Sequence, residues 1–323
     1  MLQLTTLSNV VDALNRETAA IRTVEPQEIR AIRTGSLKIG TNNQFFTTWD
    51  FTNSLLRDLS SMTWYPLLLT FEDKTFTLQQ ACVLARRFDT PYTNFLRYSG
   101  FPKMGEFSAA LMVLLPVAPT REEAITAVRA FLGYLNCLTA WSFHTFAWGL
   151  GGKALIYTPS DADTLVSMPD LSRRIAVQPT GLRAKLTWQP LNISVVALLA
   201  IEENPELVGD LVAALPFTVL QDHAVVSGQS MYAWAPIIST ALVQVKERQC
   251  DAPIGRIRYS QGSGNKVIIQ YGTVTEDVET PVLGEILPEF KEQLAEVGRA
   301  VLESTFQTKE NIMLTIELIQ LLN

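Results

Sequence analysis

The spacing of apolar residues changes twice along this chain of 323 residues. Up to about Gly151 they recur every three or four positions, which is typical of amphipathic helices. From Lys153 to Thr280, short apolar or alternating runs are separated by proline and glycine, which favours an antiparallel sandwich or barrel. From Pro281 the helical spacing returns. A chain with this order most simply carries a β-domain inserted between two halves of one helical domain.

The predicted fold class is therefore α+β and multi-domain. We expect residues 1–152 and 281–323 to form one helical base domain, and residues 153–280 to form an inserted antiparallel β-sandwich. Two strand-like runs flank the turn-rich segment Gln261–Asn265, which predicts a β-hairpin. Local patterns predict four further helices, at Thr77–Phe88, Glu106–Leu115, Arg121–Leu138 and Asn204–Ala214.

The charge balance excludes some functions. Only 18% of the residues are charged, below the roughly 25% usual for soluble domains, so we expect much of the surface to lie against other subunits. The net charge of −6 argues against direct nucleic-acid binding, which requires lysine and arginine. Residues 131–150 carry no charge, but Asn136 and His144 would be costly in lipid. This stretch is interpreted as a buried domain junction and not as a membrane span.

Phosphate-binding glycine motifs are incomplete. A phosphate loop around Gly151-Gly152-Lys153 would need glycine at Ala147 and serine or threonine at Ala154. The glycines of Gly262-Ser-Gly264 lie in the predicted hairpin turn. Neither pattern predicts a nucleotide site.

Hydrolase motifs are incomplete as well. Gly228-Gln-Ser-Met-Tyr232 resembles a nucleophile elbow, but tyrosine replaces its last glycine and no histidine follows Ser230. Ser263 and Lys266 have the spacing of a serine–lysine pair but flank a turn. The three cysteines are far apart and form neither a zinc motif nor a disulfide framework. The sequence therefore predicts a protein that is not an enzyme and has no cofactor.

Three segments resemble the middle-layer, T=13 capsid proteins of rotavirus and related reoviruses, which are double-stranded RNA viruses. They are the opening helix Met1–Leu14, the run Thr48–Ser60 with its Trp-Asp-Phe start, and Thr308–Leu314 before the last predicted helix. The resemblance implies a helical base that supports a jelly-roll-like head. The chain differs from that family in having a shorter β-region, in which no family signature is found.

By this resemblance the chain is a viral structural protein whose homotrimers tile an icosahedral capsid layer over an inner shell. Its partners would be itself, neighbouring capsid trimers and the inner-shell protein, and its location the virion and the host cytoplasm during assembly. Another viral coat or nucleocapsid protein is the alternative; a cellular interaction protein or an unrecognised hydrolase is a further one.

The resemblance also implies one candidate metal ligand. His144 lies near the passage from base to head, where that family has a histidine on the trimer axis. Three symmetry-related imidazoles could bind zinc. The alternative is a single buried histidine that is hydrogen-bonded to backbone.

Overall fold

A computed structural model describes residues 4–36, 49–148, 169–179 and 181–319. The chain divides into two compact units. The first is Met1–Phe146 with Gly262–Gly264, and the second is Ala147–Gln261 with Asn265–Asn323. The segment Gly151–Lys153 and the predicted boundary at residues 152/153 lie outside the described residues.

The first unit is helical. Its helices are α1 (Leu7–Ile21), α2 (Gln27–Arg33), α3 (Trp49–Asp58), α4 (Tyr65–Glu72), α5 (Leu78–Tyr98), α6 (Pro102–Leu114) and α7 (Arg121–Thr145). A π-helical turn, Leu59–Trp64, joins α3 to α4. The predicted opening helix, Met1–Leu14, corresponds to α1.

Helix α7 is the centre of this unit and contacts α1, α2, α3, α4 and α6. Thr120 caps its N-terminus, because the Thr120 hydroxyl accepts a hydrogen bond of 3.1 Å from the Glu123 amide. Most of its later turns are buried on every side, as expected for a helix enclosed by others. Phe131 of α7 packs edge-to-face on Trp64, with ring centroids 4.8 Å apart.

The second unit contains a ten-stranded antiparallel sheet within the described residues. The strands are β1 (Arg183–Gln189), β2 (Ile193–Leu199), β3 (Phe217–Leu220), β4 (Asp222–His223), β5 (Gly228–Trp234), β6 (Lys246–Arg248), β7 (Arg256–Tyr259), β8 (Lys266–Val274), β9 (Glu279–Ile286) and β10 (Met313–Ile319). Their order is β3-β10-β1-β2-β9-β7-β8-β5-β4, and β6 pairs with β9. Helices α8 (Pro205–Ala214) and α9 (Lys291–Glu303) accompany the sheet.

The sheet is nearly barrel-shaped. Strands β3 and β4 stand at opposite ends of the strand order, yet Gln221 alone separates them in the chain. The two ends of the sheet must therefore lie side by side. One side of the strands is apolar and forms a continuous core with residues of α8 and α9, including Leu207 and Val297. This is the side-chain alternation expected of strands with one buried apolar face.

Two predicted elements of this unit are confirmed. Helix α8 lies where Asn204–Ala214 was predicted. Strands β7 and β8 form the predicted hairpin, with Ile257 opposite Ile269. Its turn uses positive φ angles at Gly262, Gly264 and Asn265, a backbone region that glycine and asparagine tolerate best.

The predicted helical pair at the C-terminal end is corrected. Residues 281–319 contain the end of β9, helix α9 and strand β10, and β10 pairs with β1 and β3. Ile312, Leu314 and Ile316 are buried, so the effective period of this segment is two and not 3.6. The segment after residue 281 is thus grouped with the sheet, where the prediction had placed it with the helices.

The predicted class, a mixture of helices with a large antiparallel sheet, is confirmed at this coarse level. Across the described ranges, none of the helices is long and apolar enough to cross a membrane.

Candidate functional site

A cleft of about 490 Å³ opens in the helical unit. It is formed by α1, α2 and the start of α6, and its charged lining residues are Glu17, Glu28, Lys103 and Glu106. Small residues, among them Ala31 and Gly100, leave room between these side chains. The cleft therefore combines three carboxyl groups with one ammonium group.

An ion pair lies within this cleft. The Lys103 ammonium lies 2.5 Å from the Glu17 carboxylate, and both side chains are partly exposed. A pair of this kind contributes little to stability, on the order of 0–1 kcal/mol. Its charges remain accessible to a ligand that enters the cleft.

Glu28 is a partly buried acid of this cleft. Burial is the main cause that raises the pKa of its carboxyl group. The negative charges of Glu17 and Glu106 raise that pKa further, while the charge and the backbone amide of Lys103 oppose the shift. Glu28 thus retains its proton at a higher pH than an exposed glutamate, which suits a proton donor or acceptor.

Tyr134 of α7 lies close to these acids. Its hydroxyl is buried and has no hydrogen-bond partner in the described residues. Burial and the charges of Glu28 and Glu17 raise the pKa of its phenol well above the ordinary value. The ring packs edge-to-face on Phe107, with centroids 5.4 Å apart. Tyr134 is therefore a neutral hydrogen-bonding group near the acidic cleft.

A second buried acid of this unit, Asp89, is already satisfied by the chain. Trp64 Nε1 and Thr93 Oγ1 each donate to Oδ1 at 2.8 Å, and Ser108 Oγ donates to Oδ2 at 2.5 Å. The residue is 1% exposed. These bonds connect α5 to α6 and to the π-helical turn, so Asp89 is assigned a structural role.

The second unit contains a buried imidazole with a defined tautomer. His223 Nδ1 lies 2.7 Å from the Ala224 carbonyl oxygen, and Nε2 lies 2.8 Å from the Tyr271 hydroxyl. Because a carbonyl only accepts, Nδ1 must carry the proton, and Nε2 accepts from Tyr271. Burial lowers the pKa of His223 to about 4. Both ring nitrogens are thus engaged by the chain.

His144, the predicted metal ligand, lies in the last turn of α7 and is 1% exposed. Its ring packs edge-to-face on Trp141, with centroids 6.3 Å apart. The described residues contain no group of three or more metal-ligating side chains. Because a site shared by three chains is not visible in one chain, zinc binding by His144 stays a prediction.

The hydrolase motifs gain no support from the structure. Ser230 lies inside strand β5 and not at a strand-to-helix turn. Lys266 begins β8, and its ammonium lies 4.4 Å from the ring centroid of Tyr232. Cys82, Cys137 and Cys250 are free, and burial raises the pKa of all three thiols. No serine or cysteine nucleophile is therefore identified in the described part of the chain.

The acidic cleft was missed by sequence reasoning. Its charged residues come from three helices that are up to about ninety positions apart, so no short motif joins them. The one local signal was that Glu17 and Glu28 flank the turn between α1 and α2.

The family model that matches this chain describes the cucumopine synthase C-terminal helical bundle domain. It matches residues 7–145, which include every residue that lines the cleft. A comparison with curated proteins finds no match.

Two solved structures are similar to part of the chain. One, McbB in complex with tryptophan, is 29% identical over 42% of this chain and 44% of its own, with a TM-score of 0.39. The other, the hypothetical protein AF2241 from Archaeoglobus fulgidus, is 14% identical over 42% of this chain and 93% of its own, with a TM-score of 0.29. The chain thus matches less than half of McbB, and both TM-scores are too low to support a functional argument.

The family match overturns the resemblance to reovirus capsid proteins. The predictions of a capsid-layer function and of a virion location were wrong, because the matched helices are similar to a domain of a biosynthetic enzyme. The prediction of a protein that is not an enzyme is corrected on the same ground. The segments behind the resemblance were common helix-start patterns. The helical unit, residues 7–145, is thus similar to the helical bundle domain of cucumopine synthase.

Proposed function

We propose that this protein is a biosynthetic enzyme whose helical unit binds an amino acid or a closely related amine in the acidic cleft. The observation that carries the proposal is Glu28, a carboxyl group with a raised pKa beside Lys103 in a cleft of the family-matched helices. The match to a synthase domain supports the enzyme class.

The charges of the cleft favour a zwitterionic ligand. Carboxylates such as Glu17 and Glu106 complement an ammonium group, while Lys103 complements a carboxylate. A free amino acid carries both groups on neighbouring atoms. In this arrangement its carboxylate replaces Glu17 as a partner of Lys103, and its ammonium bonds the released acids.

Glu28 is the proposed acid–base group. A glutamate with a raised pKa can remove a proton from a bound ammonium group or return one to an adjacent atom. Tyr134 is fully buried and is not among the residues that line the cleft, so it is assigned no contact with the ligand.

The binding test uses the free amino acids, each measured by itself. For each amino acid that binds in calorimetry, the corresponding amine without the carboxylate and the acid without the amine are measured beside it. We expect the zwitterion to bind at least tenfold more tightly than either analogue. Equal binding of all three would overturn the zwitterion assignment.

Two variants connect binding to the cleft. Lys103→Met should reduce the affinity for the amino acid by roughly 10- to 150-fold and leave the affinity for the amine unchanged, because one charge-assisted bond contributes about 1.5–3 kcal/mol. Glu28→Gln should preserve binding and abolish turnover once a product is detected by mass spectrometry. The exposed substitutions Lys74→Met and Glu296→Gln are the charge-matched controls. Full turnover by Glu28→Gln would refute its acid–base role.

Two predictions besides zinc binding by His144 stay predictions. The β-region was expected to be a jelly-roll-like sandwich inserted into the helical unit, while the single strand order supports a barrel-like description. Association into a homotrimer is the other, and light scattering at micromolar concentration tests it.

A further inference from the structure

Strands β5, β8 and β7 carry a second, buried polar face. Along these strands Met231, Ile269 and Ile257 belong to the apolar core. Ser230, Gln270 and Arg258 alternate with them and therefore point to the opposite side. All three residues are at most 3% exposed. The buried polar face is defined here as Ser230, Gln270 and Arg258.

The strand register places these side chains together. Ser230 is directly opposite Gln270, and Arg258 is opposite Ile268, two positions from Gln270 on the same face. The segment after β6 covers them, because the Gln249 carbonyl accepts from Arg258 Nη1 at 3.2 Å and the Ala252 carbonyl accepts from Gln270 Nε2 at 3.2 Å.

Each member of this face has a polar atom without a partner in the described part of the chain. The atoms are Arg258 Nε and Nη2, Gln270 Oε1 and Ser230 Oγ. Buried polar atoms are nearly always hydrogen-bonded, and a buried guanidinium without a counter-ion is costly. Burial accordingly lowers the pKa of Arg258 to about 10.

Arg256, two residues earlier on β7, is an arginine whose guanidinium has a carboxylate partner. Its Nε donates to Glu247 Oε2 at 2.7 Å, and its Nη2 donates to Glu247 Oε1 at 3.3 Å. This is the side-on, two-point geometry by which arginine binds a carboxylate. On Arg258 the corresponding edge, Nε with Nη2, is the part that lacks a partner.

We infer that the buried polar face is a binding site for a small oxyanion that also carries a hydroxyl group. Two oxygens of the anion accept from Arg258 Nε and Nη2, as Glu247 does from Arg256. The hydroxyl of the anion donates to Gln270 Oε1, whose own amide already donates to two backbone carbonyls. Ser230 Oγ supplies a further hydrogen bond. Hydrogen phosphate, bicarbonate and α-hydroxycarboxylates share this chemistry.

The test measures thermal stability in an anion-free buffer as each anion is added at millimolar concentration. A ligand that binds only the folded protein stabilises it in a saturable way. We expect the melting temperature to rise by roughly 5 °C at about one hundred times the dissociation constant. Phosphate, bicarbonate and lactate are the three arms, and whichever responds identifies the class of oxyanion; chloride should have no effect.

Two variants and one control assign the effect. Arg258→Met and Arg258→Lys should both abolish the anion response, because methionine has no donor and lysine lacks the two-point edge. Lys185→Met, on the exposed face of β1, should respond as the unchanged protein does. An equal response in the Arg258 variants would show that the anion acts elsewhere and would overturn the inference.

A direct measurement covers the case in which the Arg258 variants do not fold. The unchanged protein is crystallised with arsenate, which mimics hydrogen phosphate and gives an anomalous signal. An arsenic peak beside Arg258 Nε and Nη2 supports the site. Water alone at that edge, together with no response to phosphate, bicarbonate or lactate, would refute it.

Discussion

At the scale of single residues, the buried ionisable groups divide into those that the chain satisfies and those that it does not. Asp89 receives three side-chain donors, and both nitrogens of His223 are bonded. Within the described residues, Arg258 Nε and Nη2 and Gln270 Oε1 have no hydrogen-bond partner. Because an unsatisfied buried group costs about 1–3 kcal/mol, the second class is where a ligand is expected.

His223 predicts a specific dependence of stability on pH. Its pKa is about 4 in the folded protein and 6.5 in the unfolded chain, so the unfolded chain takes up a proton first as the pH falls. Stability from this residue is complete above pH 6.5 and is lost between pH 6.5 and about 4, by about 3 kcal/mol in total. Urea unfolding across this range measures it.

Two variants separate the contribution of His223 from that of carboxylates that titrate in the same pH range. His223→Gln should flatten the difference in unfolding free energy between pH 6.5 and 4. Tyr271→Phe removes the donor to Nε2 and should move the pKa of His223 upward, which shrinks the loss. An unchanged pH slope in His223→Gln would contradict the assignment.

At the scale of elements, two glycines in helices are expected to respond oppositely to alanine. On α8, a Cβ at Gly209 would meet no atom within 4 Å. On α9, a Cβ at Gly298 would lie 2.4 Å from the ring of Tyr271. Gly209 therefore only lowers the helix propensity of α8. Gly298, in contrast, permits the close packing of α9 against β8.

Gly209→Ala should raise the unfolding free energy by about 0.5–1 kcal/mol, the usual gain in a helix interior. Gly298→Ala should lower it by about 1–3 kcal/mol, because overpacking outweighs the gain in propensity. Chemical denaturation of both variants beside the unchanged protein provides the measurement. A stabilised Gly298→Ala protein would show that α9 does not pack on Tyr271 as described.

At the scale of the whole molecule, strand β10 pairs with two strands that come much earlier in the chain. It lies between β1 and β3, and Leu314 is opposite both Trp188 and Val219. Leu314 is fully buried, whereas Leu318 of the same strand is 37% exposed. Substitutions of these two leucines can therefore be compared to measure how much β10 contributes to the stability of the sheet.

Leu314→Ala should destabilise the sheet by about 2–5 kcal/mol and accelerate hydrogen exchange in β1 and β3. Leu318→Ala, the control, should cost less than about 1 kcal/mol. Unfolding followed by tryptophan fluorescence and exchange followed by mass spectrometry measure the two effects. Equal costs for both leucines would contradict the position of β10.

Elements whose signals are local agreed with prediction. The Thr120 cap of α7 depends on bonds between residues three positions apart, and the β7–β8 hairpin depends on the turn residues Gly262, Gly264 and Asn265. The prediction of a helix over Ile312–Leu318 was wrong, because the apolar residues of this segment fit both a period of 3.6 and a period of two. Pairing with distant strands decided between them.

The amino-acid sequence by itself determined the N-cap of α7, the positions of α8 and of the β7–β8 hairpin, and that no complete motif for a nucleotide, a zinc finger or a hydrolase is present. Only the tertiary structure decided that the C-terminal segment forms a strand between β1 and β3 and that Glu28 meets Lys103 in one cleft. It also decided that Nε and Nη2 of Arg258 have no partner among the described residues. The physical reason is the distance in the sequence between the residues that interact. Caps and turns depend on neighbours within a few residues, whereas a cleft and a buried charge depend on residues that are distant in the chain.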